Sequence, residues 1–532
     1  MTARLLVSAA HKSSGKTTIT LGLCAALAAR GLVVQPFKKG PDYIDPMWLG
    51  LAAGRPCYNL DPHLMDDGAM ARCFERGALG AQITLVEGNK GLYDGLALDG
   101  SNSNAALAHR FDLPVLLVID ARGMTRGIAP LLLGYQAFDP ALRIAGVVLN
   151  RVGGPRHEGK LRAVIEHYTD LPVIGAVAED ARLQVVERHL GLQPCAERDD
   201  AAIHVAELGR LIAAQVDLDR VLDLARSVPA WRDGLAASTG QSAAKETAND
   251  IDDVAKTATA ITRHSTPASA ACLSNLERGG RPRPLRIGIA RDRAFSFYYP
   301  DDLEAFGAEG AELVPIDTLH DRQLPELDGL FIGGGFPEAC MAELEANAAM
   351  RSAIRQAIET GLPTYAECGG LMYLSRSISW QGRSAAMVGV IPGDAVMRPR
   401  PVGRGYVQLQ ATAAMPWPRL EGQHQAEVEP LVHGHEFHHS SLECLSPGLS
   451  YAWRVRRGHG IDGANDGLTL HNLLASYSHL RDATGAAWVR RFVAHVRRHR
   501  DRCTQLQTPA ALAATASTAA VPTAAVSVPL AA

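Results

Sequence analysis

The sequence contains no two cysteines spaced C-x-x-C. Its nine cysteines are scattered singly, which excludes a zinc ribbon and a redox dithiol. An odd number of them in so long a chain reads as reduced thiols in the cytoplasm. No apolar run is long enough to span a bilayer, so no membrane partner is expected. The formal net charge is only −3, which gives no support for a nucleic-acid partner. No internal repeat of solenoid period is visible. The first ten residues hold one basic residue and a short apolar run without a small-residue cleavage site, so a first strand is expected there rather than a secretory leader. What remains is 47% hydrophobic and 20% charged, the balance of a soluble globular protein. A length of 532 residues implies two or more domains.

Apolar runs alternate with helix-like segments from the start. Arg4 to Ala9, Leu32 to Phe37, Ile83 to Glu87, Pro114 to Asp120, Ile144 to Asn150 and Val173 to Val177 read as strands, and Thr17 to Arg30 as a helix. This alternation predicts an α/β domain with a parallel sheet covered on both faces, over residues 1–230. Residues 231–284 are rich in Ala, Ser, Thr, Lys and Asp and read as a flexible linker. A second α/β domain is expected over 285–500, with strands at Leu285 to Ala290, Leu330 to Ile332 and Pro363 to Ala366. The Ala-rich stretch 501–532 reads as a disordered tail.

Ser13-Ser14-Gly15-Lys16-Thr17-Thr18 lies between the first strand and the first helix. In a phosphate-binding loop, backbone N–H groups curl around phosphate oxygens at a helix N-terminus. Gly15 allows close approach, Lys16 reaches the β- and γ-phosphates, and the Thr17 hydroxyl suits Mg²⁺. Ala10 stands where the pattern G-x-x-x-x-G-K-[ST] has its first glycine. Three acidic groups follow later strands: Asp42 and Asp45, then Glu87, then Asp94. Each alone could be turn chemistry. Together with a phosphate loop they point to Mg²⁺ and substrate contacts, because Mg²⁺ takes hard oxygen donors. His11 reads as loop packing.

Downstream, Tyr365-Ala366-Glu367-Cys368-Gly369-Gly370 runs from an apolar stretch into a helix. A strand–turn–helix elbow lifts Cys368 out of the sheet and presents backbone N–H groups to an oxyanion. Cysteine attacks as thiolate and needs a base. The candidate base lies in His433-Gly434-His435-Glu436-Phe437-His438-His439. Gly333-Gly334-Gly335-Phe336-Pro337-Glu338 could complete an oxyanion hole. A triphosphate site joined to a thiol site implies an enzyme that activates one substrate with ATP and takes a group from another.

These residues resemble the cobyrinic acid a,c-diamide synthase family, the glutamine-dependent amidoligases of cobalamin biosynthesis. The likeness runs through Gly40-Pro41-Asp42-Tyr43-Ile44-Asp45-Pro46, Val86-Glu87-Gly88, Gly91 to Gly95 and Glu187 to Leu192. It continues in the glycine turn, the cysteine elbow, Gly434 to His438 and Ala475-Ser476-Tyr477-Ser478-His479. The resemblance implies a dethiobiotin-synthetase-like P-loop domain followed by a class I glutamine amidotransferase domain. It implies Cys368 as nucleophile and His438 as base. Ser13, Ser14, Gly15, Lys16, Thr17, Thr18 and Asn150 would hold ATP, with Asn150 suited to adenine. Thr17, Asp45 and Glu87 would hold Mg²⁺. Asp42, Tyr43, Ile44 and Asp94 would face the acid substrate, Tyr43 and Ile44 distinguishing its two carboxylates. The expected partners are a tetrapyrrole polycarboxylate, L-glutamine and ATP, with a homodimer left open. Departures from the family pattern are Ala10, His11-Lys12, the doubled Lys38-Lys39, Asp302 in place of asparagine and a long linker. They leave open another tetrapyrrole, such as sirohaem. A P-loop ATPase with a degenerate amidotransferase domain is the alternative from another class.

Overall fold

A computed structural model describes residues 3–185, 187–188, 191–229, 283–420, 431–483 and 487–506. Nearly all of 231–284 lies outside them, as do His189 and Leu190 and everything after residue 506. The final helix, Trp488–Leu506, carries the second domain past the expected boundary at 500.

The first domain is a seven-stranded, all-parallel sheet. Its strands are β1 (Ala3–Ala9), β2 (Val34–Lys39), β3 (Tyr58–Leu60), β4 (Ile83–Glu87), β5 (Val115–Asp120), β6 (Ile144–Val152) and β7 (Val173–Ala178). Their spatial order is β3-β2-β4-β1-β5-β6-β7. β1 is buried along its whole length, as a strand covered on both faces must be. Even Arg4 lies inside, because its guanidinium donates to the Phe111 carbonyl at 2.9 Å and pairs with Asp112 at 3.1 Å. The chain winds one way from β1 to β3 and the other way from β5 to β7. Ligand crevices in such sheets open at the strand C-termini beside that reversal. Helix α1 (Lys16–Ala29) and helix α2 (Ile44–Ala53) both begin at this edge.

β2 runs two residues further than its apolar pattern predicts and takes in Lys38 and Lys39. Successive residues of a strand point to opposite faces, so these two lysines serve different neighbours. β3 has only three residues, too few for a period to be read.

The second domain is built on a nine-stranded sheet. Leu285–Ala290 lies between Ala311–Ile316 and Gly329–Ile332, followed by Thr364–Glu367 and Leu473–Ser476, all parallel. Asn465–Leu470, Ser450–Arg457, Gly403–Ala411 and Val432–His438 extend it as antiparallel neighbours. Most of these neighbours follow one another in the chain, but Gly403–Ala411 meets Ser450–Arg457 across the intervening strands, and none was legible as a period. Apart from 232–284, the described residues form one compact unit. Phe336 and Phe297 of the second domain pack on the apolar core of the first. Tyr406 donates to both oxygens of Asp61 at 3.0 and 3.1 Å, Tyr58 to Glu304 at 2.5 Å, and Arg481 to the Asn59 carbonyl at 2.7 Å. Among the described residues, no helix is long and apolar enough to cross a membrane.

Candidate active site

The phosphate loop leaves β1 and enters α1 through Gly15, whose φ of 88° lies in the left-handed region that favours glycine. A side chain there would also collide with the Asn150 amide nitrogen, 2.1 Å from where its Cβ would stand. Asn150 donates that nitrogen to the Ser14 carbonyl at 2.9 Å, so it braces the loop. Ala10 is outside the left-handed region, so no glycine is needed at that position. The Ser14 hydroxyl turns inward onto the His11 carbonyl at 2.8 Å. His11 does not pack inside the loop as expected. Its ring is exposed, and Nδ1 lies 2.7 Å from the neighbouring Lys12 carbonyl. Ser13, Gly15, Lys16, Thr17, Thr18 and Asn150 line one cavity of about 550 Å³, together with Arg151 and the 178–185 segment.

Beside this loop the acidic groups converge. Thr17 Oγ1 donates to Glu87 Oε1 at 2.7 Å and stands 3.5 Å from Asp45 Oδ2. Lys38 Nζ lies between the two carboxylates, 2.5 Å from Asp45 and 2.9 Å from Glu87. Burial alone would discharge Lys38, but Asp45 and Glu87 outweigh it and hold its pKa high. Lys16 carries no such direct pair. Burial and the nearby Lys38 bring it down to about 8. Asp42 caps α2, accepting from the Ile44 and Asp45 N–H groups at 2.9 and 3.1 Å. Burial, reinforced by Asp45, pushes Asp42 up to about 7. Asp94 is exposed and accepts the Gly91 N–H at 2.9 Å, so it closes its own turn.

The oxygen set fits Mg²⁺. Glu87 Oε2 is buried with no hydrogen-bond partner, and Thr17 and Asp45 supply further hard donors. One or two carboxylates plus nucleotide phosphates are what Mg²⁺ ordinarily takes. Among the described residues no cluster of three or more His, Cys, Asp or Glu could cage a metal by itself.

At the other site, Thr364–Glu367 runs into Cys368, whose φ of 46° and ψ of −99° make the tight elbow before helix Gly369–Leu374. Positive φ at a non-glycine residue is strain of the kind found at reactive sites. Gly370 would place a Cβ 2.3 Å from the Ile332 carbonyl, and Gly369 one 2.9 Å from the Gly335 nitrogen. The two glycines are thus demanded by backbone pressing on backbone, which brings the 333–335 turn against the elbow.

Two imidazoles line the cavity beside Cys368, those of His438 and His479, and of these His479 is the one whose charge the thiol favours. His438 is committed elsewhere: Nδ1 lies 2.8 Å from the Ser440 carbonyl, Nε2 faces Glu436 at 3.7 Å, and the ring stacks on Tyr477 at 3.9 Å. Behind His479 stands Glu367, its Oε2 3.3 Å from Nδ1. Glu367 Oε1 is fixed by the Tyr365 hydroxyl at 2.7 Å and the Leu480 N–H at 3.0 Å. Burial pulls the His479 pKa down, but hydrogen bonds to Cys368 and Glu367 outweigh it and raise it to about 10. Sequence reasoning missed His479 and Glu367 as a pair. They are 112 residues apart, and they meet because Leu473–Ser476 pairs directly with the strand that ends in Cys368.

A single cavity of about 260 Å³ is lined by Cys368, His479, His438 and Phe336 from one domain and by Lys39, Asp42, Tyr43 and Ile44 from the other. The thiol site therefore opens into a space walled in part by the nucleotide domain, distinct from the cavity at the phosphate loop. Tyr43, expected to face the acid substrate, has its ring buried among Phe297, Tyr299, His435 and His479.

Fold and sites together define a class: a nucleotide-binding P-loop domain fused to a glutamine amidotransferase. Residues 6–192 match the CobQ/CobB/MinD/ParA nucleotide binding domain, and 286–484 the CobB/CobQ-like glutamine amidotransferase domain. The cobyrinate a,c-diamide synthase of Magnetococcus marinus is 43% identical, covering 91% of this chain and 95% of that protein. Those of Methanosarcina acetivorans and Listeria monocytogenes are 40% and 37% identical, covering 90% of this chain and 92% and 96% of theirs. The chain belongs to the cobyrinate a,c-diamide synthase family, and with it to the glutamine-dependent carbon–nitrogen ligases.

Proposed function

We propose that this protein amidates the a and c acetate carboxylates of cobyrinate or hydrogenobyrinate, using ATP and ammonia drawn from glutamine. The observation that supports the reading is the cavity that Cys368 and His479 share with Lys39, Asp42, Tyr43 and Ile44 of the nucleotide domain.

Cys368 attacks the side-chain amide carbon of glutamine as thiolate. The tetrahedral oxyanion is met by backbone N–H groups of the elbow and the 333–335 turn. The His479 imidazolium gives its proton to the departing nitrogen, which leaves as ammonia. His479 then takes a proton from water, which hydrolyses the thioester to glutamate. Glu367 keeps the imidazole in register and stabilises its charged form.

At the other site a carboxylate is a poor electrophile, and phosphorylation supplies a leaving group. Lys16 and the loop N–H groups hold the β- and γ-phosphates while a substrate carboxylate oxygen attacks the γ-phosphorus. Thr17, Asp45 and Glu87 would hold Mg²⁺, which neutralises phosphate charge. Ammonia displaces phosphate from the acyl phosphate and gives the amide. In bulk water ammonia would mostly protonate, so the cavity serves as its sheltered route. Two rounds give the diamide.

The test is to supply ATP, glutamine and a panel of tetrapyrrole acids, and to weigh the products. Each amide replaces an acid hydroxyl and lowers the mass by about one unit, so two such steps on cobyrinate and none on sirohaem are expected. Amidation of sirohaem alone overturns the substrate assignment.

A further inference from the structure

Tyr43 belongs to the nucleotide domain but sits in the glutamine site. It lies between Asp42, which caps α2, and Ile44, which begins α2. Its ring is 8% exposed and stacks on Phe297 with centroids 5.2 Å apart and planes 5° from parallel. It stands 5.3 Å from the His479 ring. On its other sides are His435 at 5.6 Å and Tyr299 at 4.6 Å.

Each of these neighbours bears on the thiol. His435 stacks on His479 at 4.9 Å, and their backbones exchange hydrogen bonds of 3.1 and 2.8 Å. Phe297 pairs with Gly334 in the turn pressed against the elbow. The imidazole is thus bounded by Glu367 behind and by Tyr43 and His435 at its sides. The amidotransferase domain supplies all of these boundaries except Tyr43.

We infer that Tyr43 is a positioning residue for glutamine hydrolysis. Its ring holds the His479 imidazole on the Cys368 thiol, so that the base is in register only while the nucleotide domain is docked. The inference rests on His479 as the base. Its physical basis is that a displacement of about 1 Å in a reacting group can cost on the order of 100-fold in rate. Removing one wall of a stacked imidazole permits a displacement of that size.

The test uses the full chain with Tyr43→Ala, Tyr43→Phe, His479→Asn and Tyr406→Phe. Glutamate release from glutamine and ATP-driven amidation from an ammonium salt are measured separately. In Tyr43→Ala the glutaminase kcat is expected to fall about 10–100-fold, with glutamine KM and ammonia-driven amidation unchanged. Tyr43→Phe is expected to restore kcat, because the ring is retained. Tyr406→Phe removes the hydrogen bonds to Asp61 elsewhere on the same seam, and is expected to leave kcat alone. An equal loss in Tyr406→Phe would assign the effect to docking at large and overturn the inference. So would unchanged glutaminase in Tyr43→Ala, or ammonia-driven products with an altered pattern of amides. If His479→Asn kept full glutaminase activity, the base assignment would fall and the inference with it. Loss of glutaminase in His479→Asn beside full activity in Tyr43→Ala sinks the inference alone.

Discussion

At the nucleotide end the reactive groups come from one short arc of sequence; at the thiol end they are gathered from across the molecule. Ser13 to Thr18, Lys38 to Asp45 and Glu87 lie at or just past the C-terminal ends of β1, β2 and β4, which are neighbours in the sheet. Their positions are set by helix starts and strand ends, so local chemistry nearly determines them. Cys368 and Glu367 share one strand end, His479 comes from the adjacent strand, and Tyr43 from the other domain. That arrangement depends on sheet order and on domain docking. Sites of the first kind should tolerate change in the partner domain, and sites of the second kind should not.

The sharpest way to separate the two ends is Cys368→Ser. Glutamine-driven amidation is expected to fall to background, a loss on the order of 10⁴-fold or more, while ammonia-driven amidation persists. Retained glutamine use would break the comparison outright. Lys16→Ala should cost about 10²–10³-fold with either nitrogen source, because a preorganised charge on the transferring phosphoryl group is lost. Glutaminase measured alone should survive it. His479→Asn is expected to lower glutaminase about 10²–10⁴-fold, against less than about tenfold for His438→Asn, whose ring is bound to Ser440 and Tyr477. Steady-state glutamate release decides between them.

The smallest effect is a shift in pH. His479 is raised to about 10 by Cys368 and Glu367 despite burial. The imidazolium therefore persists to that pH, and glutaminase should fall as pH rises through about 10. Glu367→Gln removes one of the charges holding the value up, so the alkaline limb should begin at lower pH. The same shift bears on folding. A folded-state pKa above the unfolded value contributes stability that is complete below about 6.5 and is lost as pH rises through 10. The decline of the urea midpoint between pH 7 and 10 should be shallower in His479→Asn. An unmoved limb in Glu367→Gln would remove the carboxylate from the catalytic assembly.

The contrast also explains what could be read in advance. The phosphate loop, the acidic groups behind β2 and β4 and the cysteine elbow were legible because a strand, a turn and a helix each leave a pattern within ten residues. The parallel core followed from buried runs such as Ala3–Ala9. His479 was visible only as part of a motif. No spacing shows that Leu473–Ser476 lies beside Thr364–Glu367, and the histidine-rich strand offered a nearer candidate. Lys38 was read as surplus basic charge, since one residue of register decides whether a lysine here meets two carboxylates or, like Lys39, the Asn89 side chain and the Asn102 carbonyl. Asp302, unexpected in sequence, is buried and accepts from the Asp482 N–H and the Trp488 indole at 3.0 Å each. It is a structural link within the second domain.

Lys38 has one more consequence. With its ammonium between Asp45 and Glu87, the protein carries its own tethered counter-ion at the place where two like charges meet. A nucleotide that brings a divalent ion thus exchanges one cation for another, and does not have to draw a bare acidic pair together. Remove the tether, as in Lys38→Met, and the empty protein should become one whose thermal midpoint climbs when magnesium alone is added.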